Sequence, residues 1–124
     1  METTALEEAV YAAMTGDMSL ISLLHDGENS IYHLQAPSDN VTRYPILVYS
    51  PISDVPAFSS DDFETAHRVT IRIHVITKDG QYGEIQRHIH RIMQGLGFYR
   101  IQTSPYVEDD EIVLLTDYKI GVML

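Results

Sequence analysis

The sequence predicts an α+β fold: a two-layer domain with a mostly antiparallel, four- to five-stranded sheet and helices packed on one face, in the order α-α-β-β-β-α-β-β. Three observations predict it. In RVTIRIHVITKDG, Arg68 to Gly80, every second residue is β-branched, the period of a strand with one buried side. From Tyr82 to Leu96 the apolar positions Tyr82, Ile85, Ile89, Ile92, Met93 and Leu96 follow the 3.6-residue period of a helix. Near the start, Leu6, Val10 and Met14 recur at four-residue spacing and place a helix ahead of any strand. Strands on both sides of one crossover helix pack as a sheet under a helical layer. At 124 residues the chain is expected to form a single domain, residues 1–124. A chain of this size buries roughly two-thirds of its unfolded surface and needs no covalent staple.

Each element has its own signals. Thr4-Ala5-Leu6-Glu7 matches a capping box, and Gly16 suits the end of the first helix. Asp17 can cap a second, short helix carrying Leu20, Ile21 and Leu24, so the chain opens on a helical hairpin. The turn-rich run at 25–29 leads to a short strand, Ile31 to Leu34, and then a polar loop, Ala36 to Arg43. PILVYSPIS, Pro45 to Ser53, is the next strand; its prolines cannot donate ladder bonds, which predicts an edge position or a bulge at Pro51. DVPAFSSDDFE, Asp54 to Glu64, reads as a long acidic loop. The strand at 68–77 turns at Asp79-Gly80 into the best helix, with Glu84 placed to pair with Arg87 and His88, and Gly95 and Gly97 at its end. Phe98 to Thr103 reads as a strand, Ser104 to Glu111 as an acidic turn region, and Ile112 to Leu124 as a long final strand.

The formal charge is −10, unevenly placed. Residues 1–66 hold eleven acids and one base, Arg43, whereas residues 67–124 hold seven of each. Such a surface repels a nucleic-acid backbone, so specific DNA or RNA binding is not expected, although an acidic protein can surround DNA without gripping it. The chain has no cysteine, hence no disulfide framework and no thiol chemistry. Its start has no basic and apolar leader pattern, and no apolar run reaches the ~18 residues of a membrane span, so a soluble, cytoplasmic protein is expected.

Six histidines invite a metal or catalytic site. His88 and His90 fall in the helix, where residues two apart point about 200° away from each other. His67 and His74 fall on opposite faces of their strand, and no HExxH is present. There is also no nucleophile elbow and no glycine-rich phosphate loop, while the carboxylate runs Asp61-Asp62 and Glu108 to Glu111 lack the spacing of a calcium loop. No catalysis, metal or cofactor is expected. What remains is surface. Phe58 and Phe63 with Asp61 and Asp62 in one acidic region, and Tyr106 with Asp109 and Asp110 in another, are candidate contacts with a partner or a neighbouring subunit. Arg68, Arg72 and His74, on the outer side of the best strand, could meet the acidic half of a neighbouring copy, as a head-to-tail ring requires.

The order of elements and its local motifs carry a resemblance. DMSLISLL, then IYHLQAP, RYPILVYSPISDVPAF and RVTIRIHVITKDGQYGEIQRHIHRIMQGLGF together resemble the tail-completion, or tail-terminator, family of long-tailed bacteriophages and prophages. The matching residues are Asp17, Ile31-Tyr32, Ala36-Pro37, Tyr44-Pro45 and Tyr82-Gly83-Glu84, over almost the whole chain; the histidine-rich helix departs from the pattern. The resemblance implies a structural, non-enzymatic morphogenesis protein acting in the host cytoplasm and then in the virion. Copies would form a ring, commonly six-fold, that caps the tail tube, stops its growth and docks to the head-completion or connector protein, with DNA passing through the lumen. The competing class is a small-molecule or protein binding module of α+β type.

Overall fold

The computed structural model describes residues 2–37, 43–60 and 63–123; at 58–60 and 63–65 it describes the backbone alone. The elements are α1 (Thr3–Thr15), α2 (Met18–Ile21), a 3-10 turn at Gly27–Ser30, β1 (Ile31–His33), β2 (Ile46–Ser60), β3 (Phe63–Thr77), α3 (Gly83–Gly95), β4 (Tyr99–Glu108) and β5 (Glu111–Met123). They form the expected α+β architecture, with five strands in the order β1-β2-β3-β5-β4. Only the β1–β2 pair is parallel, and it covers just Leu47, Val48 and Tyr49 of β2. The other pairs are antiparallel.

Alternation decides which side of the sheet is wet. Val69, Ile71, Ile73 and Val75 are fully buried and meet Ile85, Ile89, Ile92 and Met93 of α3 and Leu6, Val10 and Met14 of α1 in one core. The four-residue stripe on α1 and the 3.6-residue stripe on α3 are the faces that close the inner layer. Asp17 caps α2 as expected, accepting from the Leu20 amide at 3.0 Å.

Three local expectations change. The capping box does not form: α1 begins at Thr3, with Glu2 as its cap residue and no side-chain cap. Tertiary partners win instead, because Thr3 donates to Asp54 and Glu7 pairs with His33. The acidic segment at 54–64 is not a loop, since β2 continues to Ser60 and β3 begins at Phe63. Its prolines and serines are accommodated by register shifts after Pro51, Pro56 and Phe58, so the ladder bends and continues. Beyond Tyr49 this strand is an edge, the position that tolerates proline. The acidic turn at 104–111 also shrinks to two residues: β4 runs through Tyr106 to Glu108, and Asp109 and Asp110 alone make the turn. Both have positive φ, 49° and 67°, as a tight two-residue hairpin turn requires. Of the polar loop at 36–43, residues 38–42 lie outside the described residues.

Candidate assembly surfaces

The outer face of the sheet is built by the residues that alternate away from the helices. Arg72 stands between Ser50 and Asp117 in register, with Gln102 beyond Asp117. Its Nε donates to Asp117 Oδ1 at 2.8 Å and its Nη2 to Oδ2 at 3.1 Å, a bidentate clamp. Gln102 Nε2 donates to the same carboxylate at 2.6 Å. Burial pulls the Asp117 carboxyl upward, but these donors outweigh it and hold it below its ordinary range. The guanidinium of Arg72 is therefore occupied within its own chain. His74 is half-buried beside this pair; burial, with Arg72 adding to it, lowers its pKa.

The face is also less open than its sequence predicts. At the end away from Arg68, Ile46, Val48 and Val113 are buried, and half-buried Tyr106 pairs with Val113. Burial raises the Tyr106 phenol, and Glu108 adds to the rise. Nearby, Tyr44 donates to Glu111 at 2.5 Å, and that hydrogen bond is the first cause of a Tyr44 pKa of about 12. Lys78 lies over the Tyr44 ring at 5.1 Å. At the other end Arg68 is exposed, opposite Val55 on β2 and Gly121 on β5.

The long β2–β3 hairpin forms an arm. β5 joins it only up to Ala66, so the ladder from Ser60 to Phe58 pairs with β3 alone. At its base Asp54 accepts from Thr3 Oγ1 at 2.5 Å and meets buried His67 Nδ1 at 2.6 Å, tying arm to α1. Those bonds, Thr3 first, hold the Asp54 carboxyl below its ordinary range.

On the helical side, an open cavity of about 270 Å³ is lined by Thr4, Glu7, Glu8, Tyr11, His33 and Tyr49. Its rings stand close together: Tyr11 to Tyr49 at 5.9 Å and His33 to Tyr49 at 5.1 Å between centroids. Glu7 Oε2 meets His33 Nε2 at 2.5 Å. A second open cavity of about 380 Å³ is lined by Arg43, Tyr44, Pro45, Thr77, Lys78 and Asp79.

The sequence-predicted surface residues thus scatter. Arg72 and His74 share one face with Tyr106, Arg68 stands at its far end, and Asp109 and Asp110 form the β4–β5 turn. Phe58 and Phe63 lie on the strands of the arm, while Asp61 and Asp62 lie outside the described residues. Sequence reasoning missed the aromatic cavity, whose walls come from α1, β1 and β2. The only available signal was Tyr11, one apolar position off the helix stripe. Among the described residues no group of three or more His, Asp or Glu is placed to hold a metal, and no helix is long and apolar enough to cross a membrane.

No protein-family model and no curated protein matches the chain. A solved chain described as part of the "Virion of native gene transfer agent (GTA) particle" matches it with a TM-score of 0.66 and 17% identity, covering 100% of both chains. At that identity the likeness shows a shared fold.

Proposed function

We propose that the protein is a structural component of a phage-like virion that caps the tail tube as a ring, stops tube growth and forms the surface joining tail to head. The observation that carries this reading is the fold likeness, complete over both chains, to a chain of a gene transfer agent virion. The resemblance of the sequence to tail-completion proteins, reached from different features, points the same way. A ring of identical copies needs two unlike faces, and this chain offers a pair: the N-terminal segment of α1, α2 and β1, with no lysine or arginine from residue 2 to residue 37, and an outer sheet face carrying Arg68 and Lys119. Tail tube protein and head-side connector are the partners in this reading, and the site of action is the host cytoplasm during assembly and the tail–head junction afterwards. DNA passes through an acidic lumen without being gripped, as like charge dictates. Both cavities are open to solvent, a poorer fit to a small-molecule binding module.

Mass by light scattering over a wide concentration range, with negative-stain imaging of the same samples, tests the proposal. Closed rings with a central hole are expected at high concentration. A monomer throughout that gains thermal stability from a metabolite would replace this reading with the binding module.

A further inference from the structure

Resting on the ring reading, we propose that the cavity between α1 and the β1–β2 edge is the socket of the subunit contact, and that its occupant is the guanidinium of Arg68 from a second copy of this chain. The socket has the chemistry for a flat cation. Two carboxylates, Glu7 and Glu8, rim a space walled by Tyr11, Tyr49 and His33. Aromatic faces attract a cation and stack with a planar guanidinium, and carboxylates accept its fork of donors. Glu7 is already drawn to His33, while Glu8 is exposed. Tyr11, at 40% exposure, is a large ring left half in water at the rim.

Charge bookkeeping across the described residues selects the occupant. Arg72 is clamped by Asp117, Arg91 reaches Asp17 at 3.1 Å, and Lys78 lies over Tyr44. Arg43 is exposed but lines the other open cavity together with Lys78 and Asp79. Arg87 stands on α3, in the same layer as the socket. Arg100 alternates to the helical side of β4, opposite Tyr118. Arg68 is exposed and on the opposite layer from the socket, with Val55 on one side and Gly121 on the other. A Cβ at Gly121 would meet nothing within 4 Å, so the space beside Arg68 is open. Half-buried Lys119, the diagonal neighbour across the strand pair, reinforces the positive end of that face. Because socket and plug lie on opposite layers, one chain cannot satisfy itself, and the contact repeats head to tail.

The natural absence of cysteine makes the test clean. Thr4→Cys places a thiol on the socket rim, and Val55→Cys places one across the strand from Arg68. The two full-length single-cysteine proteins are mixed with a short bis-maleimide, and light scattering is recorded on the same samples. The mixture is expected to give a heterodimer that neither protein gives alone. Adding Arg68→Glu to the Val55→Cys chain lowers its yield at least about tenfold. Adding Glu8→Arg to the Thr4→Cys chain lowers it similarly, and combining both reversals restores it. Cross-linking no greater in the mixture than in either protein alone, or insensitive to Arg68→Glu, overturns the contact. Closed rings formed without this cross-link overturn the contact and leave the ring reading standing. The cross-link without closed rings supports the contact and removes the ring reading; monomers with no cross-link overturn both.

Discussion

The two ends of the β2–β3 hairpin obey different physics. At the body end, Leu47 on β2 and Ile71, Ile73 and Val75 on β3 are fully buried against helices, and the inner positions of β3 from 69 to 75 are all apolar. From Ile52 through the arm base and outward, Ile52 and Val55 are 44% and 45% exposed, and the ladder carries prolines, serines and three register shifts. The same two strands are thus held first by burial and then by backbone pairing plus one polar knot at Asp54. The body can specify itself, whereas the arm has surface to offer a partner.

Substitutions should separate these regimes. Ile73→Ala removes a fully buried side chain between sheet and helices and should cost about 2–5 kcal/mol. Val55→Ala at the arm base should stay within about 0.5 kcal/mol. Equilibrium unfolding in urea reads both, and similar losses would mean that the arm is part of the core. Arg72→Met leaves the Asp117 carboxylate, 4% exposed, with Gln102 as its remaining side-chain donor, which should cost about 1–3 kcal/mol. Its acid-unfolding midpoint should move to higher pH, because the depressed carboxyl pKa is lost with the clamp. Asp54→Ala unties Thr3 and His67 at the arm base and should cost about 1 kcal/mol globally. Hydrogen exchange should quicken at arm amides and stay slow in α3; uniform quickening would place the knot in the body.

The smallest effect is in pH. Asp54 and Asp117 titrate below the ordinary 3.8 when folded, so their contribution is full above 3.8 and is lost as pH falls through the folded values. His74 titrates below 6.5 when folded, so the unfolded chain takes up its proton first and stability begins to fall below pH 6.5. At the alkaline end Tyr44 and Tyr118 are raised from 10.0 to about 12, so their contribution is present below pH 10 and is lost as pH rises through about 12. Thermal melts from pH 4 to 8 should show a shallow decline on acidification, less of it in His74→Gln.

The body was legible in the sequence because burial writes itself as periodicity: the alternation at 69–75 and the helical stripes at 6–14 and 85–93 each named the correct inner residues. The arm was not legible because pairing through the backbone leaves no hydrophobic pattern, and DVPAFSSDDFE has the composition of a loop. Tyr106 was assigned to a turn for the same reason. The fate of Arg72 was hidden too, since its partner Asp117 is 45 residues away and only strand register brings them together. The aromatic socket draws one wall from each of three elements, so no local window could contain it.

The most direct test of the central claim is to incubate purified tail tubes with the protein and image the tube ends by cryo-electron microscopy. The account predicts a ring of added density at one end of each tube and no further elongation when free tube subunits are supplied. Tubes that keep growing with bare ends in the presence of excess protein would contradict it.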